Sequence, residues 1–146
     1  MDESTSRKLQ SAGLLVLRLG AGGVLLGSHG WGKLASWSEK AATFPDPLHV
    51  GSRISLALVI LAEVVCAAAV AIGALTRAAA VAPVIMMIVA FFVQHAADPF
   101  GKKELALVYG IMFLAIALTG PGDFSVDAVV RRRRDAGRRD AGRVKL

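Results

Sequence analysis

Apolar residues gather into four runs separated by short polar punctuation: residues 12–28, 54–75, 78–97 and 105–119. A membrane-crossing helix needs about 20 mostly apolar residues at about 1.5 Å of rise each. The first three runs meet that length, and the fourth meets it if the turn around Glu104 is counted as interfacial. The pattern predicts four transmembrane helices. Residues 30–53 break it. Trp31 and Trp37 suit the headgroup level, and Phe44, Pro45 and Pro47 predict a short interfacial helix followed by a proline-broken loop. Thr76-Arg77, residues 98–103 and Gly120-Pro121-Gly122-Asp123 read as turns, because glycine and proline stop helices.

Composition agrees. Hydrophobic residues make up 55% of the 146 positions, mean hydropathy is +0.57 and charged residues are only 19%, below the roughly 25% of soluble proteins. The expected fold class is therefore all-α, an integral membrane four-helix bundle. Charge is distributed unevenly. Residues 131–146 hold eight Arg or Lys and two Asp, which is the whole net charge of +6. Two units follow: a four-helix domain over residues 1–130 and a basic tail over 131–146, repetitive in Arg-Asp-Ala-Gly-Arg and expected to be disordered. The basic balance thus reports a tail that can meet anionic lipid; no aromatic interleaving supports nucleic-acid binding. Counting Lys and Arg in the connections places both termini in the cytoplasm. Arg18 inside the first run argues against a cleaved signal peptide. Cys66 is the single cysteine, so the chain cannot run a dithiol–disulfide cycle alone.

Ionisable residues within the apolar runs carry the candidate chemistry, since charge in hydrocarbon is costly and faces a bundle interior or a wet cavity. Arg18 is expected roughly 9 Å from the cytoplasmic boundary and Glu63 roughly 18 Å from it. An arginine can span most of that difference, which predicts a buried Arg18–Glu63 pair. His29 and His95 fall near the outer boundary, with Glu104 across a short loop. Lys33 follows His29 by one turn if the first helix extends. His29, His95 and Glu104 are the candidate catalytic residues, because histidine can exchange a proton near neutral pH and a histidine with a carboxylate near a pocket suits proton transfer to a substrate oxygen. Lys33 would favour an anionic oxygen, and Lys33, Glu63 and Arg18 are the candidate substrate-binding residues. A metal site on His29, His95 and Glu104, or a haem between the two histidines, is an alternative. No metal-ligand spacing motif supports a metal, and Lys33 would repel a cation. Gly23 and Gly27 form a GxxxG pair that permits close helix approach.

Leu17-Arg18-Leu19, His29-Gly30 with Lys33-Leu34, Glu63, Gly73 with Leu75-Thr76-Arg77, His95, Glu104 and the closing Gly120-Pro121-Gly122-Asp123-Phe124-Ser125 resemble, in order and spacing, the DoxX family of small four-span bacterial membrane proteins. The resemblance covers residues 11–127 and excludes the tail. It implies a bacterial inner-membrane location, multi-pass, and an association with redox enzymes such as thiosulfate:quinone oxidoreductase. The leading expectation is a membrane subunit of a quinone-linked oxidoreductase system, working with a soluble or membrane redox partner. Its polar pocket would lie near the extracytoplasmic face, and quinone would be the cofactor. A non-catalytic scaffold for redox or oxidative-stress partners is the second reading. A small transporter or proton pathway is the third, and it requires a homo-oligomer, since four spans are few for one protomer.

Overall fold

The computed structural model describes residues 2–143, with side chains described through position 138. Every regular element among them is helical. Helix α1, Glu3–Ala35, is followed by the short α2, Trp37–Lys40, and then by α3, Ser52–Ile72, α4, Thr76–Gln94, α5, Phe100–Thr119, and α6, Val126–Arg143. By length and composition α1, α3 and α4 can each cross a membrane. In α5, Lys102, Lys103 and Glu104 occupy the first turns, and the remainder is apolar.

Helix α1 is longer at both ends than the apolar run. Residues 3–11 are polar except for Leu9 yet helical, and the helix does not stop at His29-Gly30 but continues to Ala35. Gly30 is therefore a mid-helix residue, and a side chain there would collide with α3: a Cβ would stand 2.7 Å from the Glu63 carbonyl oxygen. Gly22 makes the same approach lower down, 2.6 Å from the Ala67 carbonyl. Gly23 and Gly27, the GxxxG pair, face open space. The close-approach stripe is thus Gly22 and Gly30, one helix face away from the motif.

Helix α4 packs along α5, and α1 packs along the second half of α3. Ala21, Leu25, Ala67, Val70, Ala80, Tyr109, Phe113 and Ile116 form the shared core. A second small cluster, Ala41, Leu56 and Ile60 with Phe44, packs the connection after α2 onto α3. Most other large apolar side chains point outward; Val16, Ile72, Leu118 and Phe92 are each more than half exposed. A soluble protein would not leave such a belt uncovered, whereas lipid solvates it.

The end of the molecule that carries the N-terminus is closed by Arg18. It is fully buried and donates to the carbonyls of Pro121 and Phe124 in the α5–α6 connection. The expected Arg18–Glu63 pair does not form: the guanidinium finds carbonyls freed by Gly120 and Gly122, both at positive φ, and Glu63 has a nearer cation. Asp127 sits beside this lock. It accepts from the backbone N–H groups of Leu75 and Thr76 and from the Thr76 hydroxyl, so α6 caps α4 from outside. Arg7 and Ser11 on the polar first turns of α1 hold Asp123.

The segment from Arg131, expected to be disordered, is helical through Arg143 as the continuation of α6. Arginine and alanine are good helix formers, and Ser125 accepts the Ala128 N–H at the helix start. The last three positions of that segment lie outside the described residues.

Candidate functional site

The site begins with a departure from α-helical geometry. Three helices each contain one π-helical turn: Leu25–Gly30 in α1, Leu61–Cys66 in α3 and Ala90–Gln94 in α4. Each closes with a bond from residue i to i−5: Trp31 N–H to Leu26, Ala67 N–H to Ala62, His95 N–H to Ala90. Such turns widen the helix and re-aim its side chains, and they concentrate at functional sites. All three contribute residues to one cavity of about 590 Å³ at the end of the molecule away from the N-terminus. Its walls are mainly apolar, with His29, Lys33, Ser55, Glu63, Gln94, His95, Lys102 and Tyr109 as the polar points.

Lys33 and Glu63 are the centre. The ammonium donates to Glu63 Oε2 at 2.6 Å and to the His29 carbonyl at 3.2 Å. The Glu63 side chain is 7% exposed and that of Lys33 22%. The Gly30 contact explains the pairing, because it brings the α1 backbone onto the Glu63 carbonyl and leaves Lys33, one turn further on, to reach back. His29 lies across from Tyr109, ring centroids 5.9 Å apart and nearly perpendicular, an edge-to-face arrangement favoured by the aromatic quadrupole.

His95 stands at the rim. Its Nδ1 lies 2.7 Å from Asp98 Oδ2, and Lys102 Nζ is 3.7 Å from the other carboxylate oxygen. The hydrogen bond with His95, aided by Lys102, holds the Asp98 carboxyl below the usual carboxylate range against a smaller upward push from burial. The connection between α2 and α3 folds over the opening with Phe44, Pro45, Pro47 and Leu48. Asp46 fixes this flap by accepting from the Ser55 hydroxyl at 2.7 Å and from the N–H groups of Gly51 and Val50 at 2.6 and 3.0 Å. The Ser55 bond, with the two amides, lowers the Asp46 pKa.

Four of the six residues singled out from sequence line this cavity: His29, Lys33, Glu63 and His95. Arg18 does not; it is the lock at the opposite end. Glu104 does not either. Lys102, Leu105, Ala106 and Tyr109 form the cavity-facing stripe of α5, and Glu104, about 100° from Leu105 on the helix, is exposed. His29, His95 and Glu104 do not converge as ligands, and no group of three or more His, Cys, Asp or Glu side chains placed to hold a metal occurs among the described residues. Sequence reasoning missed Tyr109 and Asp98. Tyr109 carried a signal, as the chain's single tyrosine set inside an apolar run.

A membrane-protein fold with a polar cluster set in an apolar cavity near one face agrees with the family assignment. The DoxX family model matches residues 13–96, more than half of the chain; the chain belongs to the DoxX family and is a membrane protein. It is 28% identical over 131 residues to the inner membrane protein YqjF of Escherichia coli strain K12, covering 87% of this chain and 98% of that one. No solved structure gives a significant match.

Proposed function

We propose that the protein is a quinone-binding membrane subunit of an oxidoreductase system, located in the bacterial cytoplasmic membrane. In this reading α5 completes a four-span bundle, both termini are cytoplasmic and the cavity lies near the extracytoplasmic face. The inner-membrane description of the Escherichia coli relative supports the location. The observation that carries the function is the Lys33–Glu63 pair at the base of a largely apolar cavity, with His29, Tyr109 and His95 around it. About 590 Å³ lies within the range of small-molecule sites, which are mostly apolar with a few convergent polar groups. That donor set fits a flat, lipid-soluble ring with oxygen at its edge. A quinone, when bound, supplies two-electron, two-proton redox chemistry.

The protein's own part is binding. Lys33, neutralised by Glu63, presents N–H groups to an oxygen without leaving net charge in hydrocarbon. Tyr109 and His29 line the same wall, where a hydroxyl and an imidazole can each hydrogen-bond to a ligand oxygen. His95 and Asp98 share a hydrogen bond at the rim, within reach of water. Cys66 is the one thiol, so the chain cannot run a dithiol–disulfide cycle alone, and in this reading a partner protein delivers the electrons. Titrating purified protein with decylubiquinone and following tryptophan quenching tests the site. Saturable binding that weakens at least about tenfold in Lys33→Gln is expected. No saturable binding in either protein sinks the proposal.

A scaffold role is the second reading, and α6 favours it: an 18-residue helix that carries Arg131 to Arg134 exposed beyond the packed helices. Deleting residues 131–146 while leaving decylubiquinone binding intact, yet abolishing the cellular phenotype, would select that reading.

A further inference from the structure

A second polar surface lies at the opposite end of the molecule. It is an open cleft of about 670 Å³ between α1, the α3–α4 turn, the end of α5 and the start of α6. Arg7, Arg77 and Arg131 line it, together with Ser11, Thr76, Thr119, Asp123 and Asp127. The carboxylates are already engaged. Asp127 spends both oxygens on Leu75 and Thr76. Asp123 takes Arg7 at 3.0 Å and Ser11 at 3.3 Å. Arg131 and Arg132 each stand only 3.9 Å from Asp123 Oδ1, with side chains 56% and 67% exposed. Arg77 has no ion pair among the described residues and lies over Gly120. The cleft therefore carries guanidinium charge that its own carboxylates do not satisfy.

Its position narrows the occupant. Thr76 opens one apolar helix and Thr119 closes another, so the cleft sits where hydrocarbon meets water. Leu75, 77% exposed, lines it, and Leu118, 71% exposed, precedes the lining residue Thr119. An anionic group on this surface would have acyl chains on one side of it and water on the other. We infer that the cleft binds the headgroup phosphate of an anionic phospholipid, with Arg77 and Arg131 as the paired guanidinium donors and Leu75 and Leu118 against the chains. Guanidinium forks suit phosphate oxygens. The site differs from a diffuse attraction of the basic helix, because Arg77 comes from a different helix and the more distant α6 arginines are not part of it.

The test uses the full chain in nanodiscs, where both faces are open, so that neither membrane orientation nor quinone binding enters the result. Native mass spectrometry of protein released from discs of phosphatidylcholine with about 30% phosphatidylglycerol counts retained lipid. Retention of phosphatidylglycerol over phosphatidylcholine is expected, falling about fivefold in Arg77→Gln and again in Arg131→Gln, at about the value of one basic residue near a charged surface. Arg134→Gln is expected to leave retention unchanged. Equal retention of the two lipids, or an equal loss in Arg134→Gln and Arg77→Gln, overturns the site. Stabilisation of detergent-solubilised protein by inorganic phosphate alone, equal to that given by phosphatidylglycerol, overturns the lipid assignment.

Discussion

Lys33 Nζ stands 2.6 Å from Glu63 Oε2 on the neighbouring helix, and the carboxylate is almost wholly buried. Removing one partner of such a pair strands the other charge, at a cost of about 3–5 kcal/mol, whereas replacing both with apolar groups costs far less. Lys33→Met and Glu63→Leu are each expected to lower the melting temperature in detergent sharply. The double variant is expected to recover most of that loss while binding no decylubiquinone. Additive losses in the double variant would show that the two groups do not act as a pair.

Tyr109 and Glu104 lie five residues apart on α5, but only Tyr109 faces the cavity. Tyr109→Phe keeps the ring against His29 and removes the hydroxyl, so it is expected to weaken decylubiquinone binding by about 1 kcal/mol, the net value of one hydrogen bond. Glu104→Gln is expected to leave the titration unchanged. The reverse order of effects would move the site to the other face of α5.

Close packing of α1 on α3 predicts unequal glycines. Gly30→Ala drives a methyl into the Glu63 carbonyl and is expected to destabilise by about 1–3 kcal/mol while pulling Lys33 off its partner. Gly23→Ala meets open space and is expected to be neutral or slightly stabilising, given the cost of about 1 kcal/mol of glycine within a helix. Thermal unfolding of the two variants side by side decides the point.

Acid is expected to loosen the end of the molecule closed by Arg18. Burial pushes the Asp127 carboxyl up, but the Thr76 amide and hydroxyl, the Leu75 amide and Arg18 outweigh it and hold the pKa below the ordinary value. A carboxyl lowered by folding contributes stability that is complete above the unfolded value of about 3.9 and is lost as pH falls through the folded value. Melting temperature should therefore drop as pH is taken from 5 towards 3. Asp127→Asn should start lower by about 1–3 kcal/mol and show a shallower decline. Some slope remains in the variant, because Asp98 and Asp123 are lowered as well. An unchanged slope in Asp127→Asn would remove this carboxyl from the lock.

Much of the architecture was legible because apolar run length and turn residues are local signals. The membrane-length helices and the stop at Gly120 are read directly from residue order, while the turn expected at Thr76-Arg77 lies just before that pair, at residues 73–75, with Thr76 already opening α4. His29, Lys33, Glu63 and His95 were legible as a cluster because ionisable groups in apolar runs have few places to go. Their partners were not. Lys33 rather than Arg18 meets Glu63 because α1 continues through Gly30, and Gly30 taken alone signals a break. The two terminal nitrogens of Arg18 bond to the carbonyls of Pro121 and Phe124, more than a hundred residues away, and no side-chain pattern announces a backbone acceptor. Glu104 was misplaced by one residue of helical phase, which its distance from the membrane boundary could not reveal.

The π turns make the cavity lining sensitive to single-residue deletion. A ring closed from i to i−5 holds one residue more than an α-helical turn, so each of α1, α3 and α4 carries a surplus residue beside the cavity. Losing one, such as the exposed Ser28, would let that stretch relax to an ordinary helix without re-phasing its flanks. Arg18 and Lys33 would keep their partners while His29 swung to a new bearing. A one-residue deletion in a π turn would thus change the cavity lining of this chain and leave the anchored ends of the molecule untouched.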